Sequence, residues 1–130
     1  MDSQEFVKII SEYILSKKGY DIKILELRNV SSIADYFIIC SADSDTQVKA
    51  IADEIDKQLR ERGIKYSNLE GYDTLNWVLV DYFDVIVHIF KKEAREYYNL
   101  EKFWGDAPVT DIKDEPVTEV KTKSRTRSKK

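Results

Sequence analysis

The apolar stretch at residues 75–90 limits the possible folds more than any other part of the sequence. It is interrupted by Asp81, Asp84 and His88. A membrane-spanning helix needs about 20 predominantly apolar residues, so this stretch is not expected to cross a membrane. It predicts instead an antiparallel hairpin, with strands at about 75–82 and 84–90 and a turn near Phe83.

Both faces of this predicted hairpin are apolar or aromatic. Because side chains alternate along a strand, the first strand presents two sets of residues. One face carries Leu75, Trp77 and Leu79, and the other carries Val78, Val80 and Tyr82. If helices cover only one face of the sheet, the other face leaves large side chains in or near water. Exposed apolar patches of this kind mark interaction sites.

Two amphipathic helices are predicted beside these strands. The first spans about residues 3–18, because Asp2 and Glu5 have the spacing of a capping box and Gly19 can end the helix. The second begins near Ser44, with Gln47 at capping-box distance, and ends near Gly63. Its apolar stripe consists of Val48, Ile51, Ala52, Ile55 and Leu59.

The remaining elements complete an α/β fold. Residues 21–28 predict a strand with a bulge, residues 35–41 a buried strand, and residues 64–70 another strand, while a short helix begins near Lys91. The order α-β-β-α-β-β-β-α indicates a single mixed five-stranded sheet with helices packed mainly on one face.

Charge divides the 130-residue chain into two regions. Residues 113–130 carry a formal charge of +4, whereas residues 1–112 carry −7. We therefore expect a folded acidic domain at 1–112 and a basic, disordered tail at 113–130. The tail is either a solubilising end or a salt-sensitive contact to nucleic acid phosphates. A single cysteine and the absence of a signal-peptide pattern in residues 1–18 favour the cytoplasm or an organelle matrix.

Residues suited to catalysis are few. His88, beside Ile86 and Phe90 on a predicted strand, is more typical of a hydrogen-bonded structural residue than of a catalyst. Cys40 is expected to be an inert buried thiol, although a pair with His88 across the sheet is the alternative. Asp43 and Asp45 are expected to cap the second helix, with a divalent-ion site as the alternative. We therefore expect no enzyme activity, no cofactor and no metal.

An aromatic-rich segment follows the hairpin. It contains Tyr97, Tyr98, Leu100, Phe103 and Trp104. A domain of this size does not need all of these side chains for its core, so we expect some of them to pack inside and others to form a binding surface. The composition thus favours a binding protein over an enzyme.

Several motifs, in one order, resemble the ribosomal silencing factor family, also called Iojap-like proteins. They are Asp35-Tyr-Phe-Ile-Ile-Cys-Ser41, Gln47-Val-Lys-Ala-Ile-Ala-Asp53, Trp77-Val-Leu-Val-Asp-Tyr82, Val87-His-Ile-Phe90 and Arg95-Glu-Tyr-Tyr-Asn-Leu-Glu-Lys-Phe-Trp-Gly-Asp-Ala-Pro108. The resemblance covers about residues 4–108. It implies a nucleotidyltransferase-like shape without that activity, since the turn at 41–42 is Ser-Ala and the next strand, 64–70, lacks an aspartate.

The resemblance also implies a partner. Members of this family bind the large ribosomal subunit through its ribosomal protein fourteen, on the face that meets the small subunit. Binding blocks subunit joining and lowers translation under nutrient limitation, and members tend to form homodimers. Motif by motif, the contact residues implied here are Trp77, Leu79, Tyr82, Tyr98, Leu100, Lys102 and Trp104.

This sequence departs from the family in two places. Phe83 stands where many relatives have glycine in the hairpin turn, and the basic tail is longer than the common family end, which suggests a contact to ribosomal RNA. Two rival functions are kept. One is a degenerate nucleotidyltransferase-like enzyme that binds nucleotides through Asp43 and Asp45, and the other is a dimeric scaffold with the aromatic residues in its own interface.

Overall fold

The computed structural model describes residues 2–112. Its elements are α1 (Ser3–Ser16), β1 (Tyr20–Glu26), β2 (Tyr36–Ala42), α2 (Asp45–Glu61), β3 (Asn68–Glu70), β4 (Trp77–Asp81), β5 (Val85–Lys91), α3 (Lys92–Tyr98), α4 (Leu100–Phe103) and β6 (Val109–Ile112). The strands form one sheet in the order β3-β4-β5-β2-β1-β6. β2 and β5 are parallel and the other neighbours antiparallel, which confirms a mixed α/β fold. Within residues 2–112, no helix has the length and apolarity needed to traverse a bilayer.

The predicted count of five strands is wrong, because β6 adds a sixth. β6 pairs with β1 in antiparallel register, with Val109 opposite Leu25 and Ile112 opposite Ile22. The observed order therefore ends in α3, α4 and β6 instead of one helix. Four residues with only two apolar side chains carry almost no strand signal, and their pairing depends on an edge formed far earlier in the chain.

Both long helices begin as their sequences indicate. Asp2 accepts a hydrogen bond from the backbone N–H of Glu5, and the Glu5 side chain accepts one from Asp2 in return, so the predicted capping box is confirmed. At α2, Ser44 accepts from the N–H of Gln47. The Gln47 side chain does not complete that box: its oxygen accepts from the N–H of Asp43, and its nitrogen donates to the carbonyl oxygen of Lys18. Gln47 thus ties the start of α2 to the end of α1.

The two faces of the sheet are covered unequally. α1 and α2 pack on one face and bury a large apolar cluster that includes Ile10, Ile14, Ile38, Ile51, Ile55 and Ile89. The opposite face holds a smaller cluster, centred on Phe37, Ile39 and Phe90, and receives α3 and α4. This confirms that helices pack mainly on one face of the sheet. Among the described elements, the second face is covered only by the short helices α3 and α4, so we call it the thinly covered face.

The β4–β5 turn adopts a strained backbone at Phe83. Phe83 has φ +70°, in the left-handed region, and its ring is exposed. The Asp81 carboxylate accepts a hydrogen bond from the Phe83 N–H at 2.8 Å, which holds the turn. A non-glycine residue in such a conformation costs about 1–3 kcal/mol, so Phe83 adopts a backbone conformation that glycine would adopt at lower cost.

Candidate functional site

The thinly covered face of the sheet carries a patch of half-buried and exposed apolar side chains. We call it the aromatic patch; it consists of Trp77, Leu79, Tyr98, Leu100 and Trp104. Trp77 and Leu79 come from β4, and the other three come from the α3–α4 region. The structure therefore brings five of the seven predicted contact residues onto one surface.

Buried aromatic rings lie beneath this patch. The Trp77 ring stacks on Phe90 with centroids 4.8 Å apart, and the Tyr98 ring lies 5.0 Å from Trp77. The Trp104 ring meets Phe37 edge to face at 5.6 Å. Because Phe37 and Phe90 are buried, the patch residues rest on a packed layer and their positions are set before any partner arrives.

His88 fixes the orientation of Trp77. The indole N–H of Trp77 donates to His88 Nδ1 at 3.0 Å, so His88 carries its own proton on Nε2. That Nε2 is buried and has no hydrogen-bond partner among the described residues. Burial lowers the pKa of His88 to about 3, so the ring is neutral at physiological pH. The predicted structural role of His88 is confirmed.

Cys40 and His88 do not form a catalytic pair. The parallel register of β2 and β5 places Ile39 opposite His88 and Cys40 opposite Ile89. Cys40 consequently lies in the cluster under α1 and α2, on the other face of the sheet. It is fully buried, and burial raises the pKa of its thiol to about 12. The expectation of a buried thiol is confirmed, and a thiol with a raised pKa is a poor nucleophile.

The two aspartates before α2 are engaged with neighbouring side chains. The Tyr20 hydroxyl donates to the Asp43 carboxylate at 2.5 Å, and Asp45 forms an ion pair with Lys91 at 2.8 Å. The prediction that these aspartates cap α2 is wrong, because the N-cap is Ser44. Asp45 is the first residue of the helix, where a negative charge suits the helix dipole. In residues 2–112, no group of three or more His, Cys, Asp or Glu side chains could hold a metal ion.

Tyr82 lies apart from the aromatic patch. It is 6% exposed and packs on the opposite face of the sheet, against Phe6 at 5.6 Å and Tyr66 at 6.5 Å. This agrees with the alternation along β4, which sets Tyr82 on the face away from Trp77. Leu75 was placed by alternation beside Trp77, and that is wrong: it precedes β4 and packs toward the α1–α2 side. Lys102 is exposed on α4, next to the patch in the chain.

Two exposed aromatic residues were not among the predicted contacts. Tyr97 is 82% exposed and Phe103 80%, and each precedes a residue of the aromatic patch in the chain. Adjacent helical residues point in different directions, so only one of each aromatic pair can reach the sheet. The adjacent pairs Tyr97-Tyr98 and Phe103-Trp104 therefore indicate exposed aromatic residues in the sequence. In each pair, the residue that does not reach the sheet must face solvent. The Tyr97 ring contacts the Tyr98 ring at 5.1 Å and so adjoins the aromatic patch.

Comparisons with known proteins agree on one family. The family model described as "Ribosomal silencing factor during starvation" (RsfS) matches residues 1–130. A ribosomal silencing factor from Bacillus subtilis is 48% identical over 112 residues, which are 86% of this chain and 95% of that protein. One from Halalkalibacterium halodurans is 45% identical, covering 86% of this chain and 96% of that protein.

A solved structure shares the fold of this chain. The crystal structure of a Chromobacterium violaceum protein superimposes with a TM-score of 0.78 at 37% identity, covering 81% of this chain and 88% of that one. The similarity therefore extends from the sequence to the arrangement of the sheet and helices. By the family model and the curated relatives, the chain belongs to the ribosomal silencing factor (RsfS) family.

Proposed function

We propose that this protein silences ribosomes by occupying a surface, without catalysing a reaction. The aromatic patch docks on ribosomal protein fourteen of the large subunit, at the face that meets the small subunit. Bound there, the protein blocks subunit joining and represses translation under nutrient limitation. The observation that carries the proposal is the aromatic patch in a member of this family. Its side chains are partly exposed, and buried aromatic rings beneath them hold them in place.

The chemistry of the patch suits protein docking. Interface cores are enriched in aromatic side chains, and tryptophan and tyrosine contribute most often to the few residues that dominate affinity. Trp77, Tyr98 and Trp104 supply those residue types on one surface. Their buried neighbours keep them in place, which reduces the entropy lost on binding.

The charge of the domain suits a basic partner. Residues 1–112 carry −7, which would attract a positively charged ribosomal protein and repel ribosomal RNA elsewhere on the particle. Electrostatic attraction of this kind raises the association rate more than the final affinity. The apolar contacts of the aromatic patch would then set the dissociation rate.

The proposal is tested by a subunit-joining assay. Purified protein is mixed with large subunits, small subunits are added, and joining is followed by light scattering and gradient sedimentation. We expect the protein to migrate with the large subunit and joining to be suppressed. Undisturbed joining, with the protein left at the top of the gradient, would contradict the proposal and limit the family resemblance to the fold.

Self-association and location belong to the same proposal. We propose that the protein is a cytoplasmic homodimer and that it also docks on the large subunit. Sedimentation of the protein alone at several concentrations, and then with large subunits, separates this arrangement from a dimeric scaffold. A dimer that persists at all concentrations and does not bind the large subunit would favour the scaffold, in which the aromatic patch is buried in the dimer interface.

The basic tail is proposed to add a contact to ribosomal RNA. Residues 113–130 lie outside the described part of the chain, but their formal charge of +4 favours phosphate binding. Deleting them is expected to weaken large-subunit binding and to flatten its dependence on salt concentration. Affinity is measured for the full chain and for residues 1–112 across a salt series. An identical slope for both would remove the tail from the contact.

A further inference from the structure

Three of the five residues of the aromatic patch lie in one short segment, whose apolar side chains pack on the sheet but are only partly buried. We call residues 92–104 the closing segment; it comprises α3, Asn99, α4 and Trp104. Both helices lie within the described residues, and the only side chain classed as buried in them is Arg95 on α3. Helices of seven and four residues are not stable by themselves. Neither starts with a side-chain cap in the described structure.

Arg95 connects this segment to the sheet. Its Nη1 donates to the carbonyl oxygen of Asp21 at 2.6 Å and to Ser41 Oγ at 2.9 Å. Its Nη2 donates to the Glu101 carboxylate at 2.9 Å, and the Asp21 carboxylate lies 3.6 Å from Nη1. One guanidinium therefore joins β1, β2, α3 and α4. The planar guanidinium group donates hydrogen bonds to acceptors in three directions. The ammonium group of a lysine does not have this donor geometry.

The acceptors on the sheet are themselves held in place. The register of β1 shifts between Tyr20 and Lys23, and Asp21 has φ +52°, so the bulge frees the Asp21 carbonyl from the strand ladder. Ser41 is buried near the end of β2. Both acceptors thus belong to the central sheet, while Glu101 belongs to α4. The position of α4 relative to the sheet is consequently set through Arg95.

We propose that Arg95 is a positioning residue that holds the closing segment in the conformation competent for docking. This inference rests on the proposed function, because its consequence for binding requires the aromatic patch to be the docking surface. Arg95 is buried and acts through Leu100 and Trp104, whose distance from Trp77 it fixes. If the segment is in place in only a fraction of molecules, the apparent Kd rises in inverse proportion to that fraction.

The test compares Arg95→Met with Arg60→Met, a matched removal of an arginine on the exposed side of α2, where it pairs with Asp56. We expect Arg95→Met to weaken large-subunit binding by about tenfold or more, as when one molecule in ten keeps the segment in place. Arg60→Met should bind like the wild type. Far-ultraviolet circular dichroism checks that α1 and α2 remain folded.

A second readout follows the segment without the ribosome. In a Trp77→Phe background, Trp104 is the remaining tryptophan, and Arg95→Met should shift its emission to the red and increase its quenching by iodide. If Arg95→Met does not fold, Glu101→Gln gives the second variant, with the same direction of change. Arg95→Lys should fall between the wild type and Arg95→Met in both readouts.

The outcomes separate the inference from the proposed function. Weaker binding together with a changed Trp104 emission supports the positioning role. Binding at the wild-type level, or weakened binding with an unchanged Trp104 emission, overturns it. If the wild type itself does not bind large subunits, the proposed function fails, and the emission experiment alone decides whether Arg95 holds the segment.

Discussion

Replacing Trp77 or Trp104 by alanine is expected to weaken binding to the large ribosomal subunit by about thirty- to a thousand-fold. Truncating a central tryptophan in an interface costs about 2–4 kcal/mol, because the ring's buried area is lost and its neighbours are left uncovered. Trp77 meets this description, since it stacks on Phe90 and is oriented by His88. Affinity is measured by sedimentation with purified large subunits.

A matched aromatic variant controls for general effects. Phe83→Ala removes an exposed ring at the β4–β5 turn, at the opposite end of β4 from Trp77, and should bind like the wild type. Urea unfolding of each variant establishes that the domain is folded under the binding conditions. A folded Trp77→Ala or Trp104→Ala variant with undiminished affinity would remove that residue from the docking surface.

For Tyr82, the family resemblance and the fold point in different directions. Motif matching assigned Tyr82 a contact role, yet the alternation along β4 already set it on the face away from Trp77. The structure places its ring under α1 and α2, against Phe6. A motif identifies residues that matter to a family, whereas strand geometry decides whether a side chain points to a partner or to the core.

Local patterns in the sequence predicted much of the fold because local interactions determine those elements. The capping box at Asp2, the stripe of α2 and the bulge in β1 each depend on residues close in the chain. β6 was missed because its pairing with β1 is a long-range interaction that four residues do not reveal. The unequal cover of the two faces was predicted from the order of helices and strands along the chain.

The candidate site was predictable as a set of residue types but not as a geometry. Aromatic excess indicated a surface, and Trp77, Tyr98 and Trp104 are found together on it. The separation of Cys40 from His88 depends on the register of the parallel pair β2 and β5, which no local pattern encodes. The contacts of Arg95 were equally hidden, because two of its acceptors, Asp21 and Ser41, lie far from it in the chain.

His88 is expected to make the domain less stable as the pH falls from 7 to 5. Burial lowers the pKa of His88 to about 3 in the folded protein, whereas it is about 6.5 in the unfolded chain. Below pH 6.5 the unfolded chain therefore binds a proton that the folded protein does not, and this favours unfolding. The linkage amounts to about 2 kcal/mol at pH 5, and it is absent above pH 7.

The effect is measured as the free energy of unfolding in urea at several pH values from 7.5 to 5. His88 is the single histidine of the chain, so His88→Gln removes the group while keeping an acceptor for the Trp77 indole. The variant should lose the histidine part of the slope and retain whatever the carboxylates contribute. Parallel curves for the two proteins would show that His88 is protonated as readily in the folded state as in the unfolded one. That result would contradict the conclusion that a neutral His88 accepts the hydrogen bond that orients Trp77 in the aromatic patch.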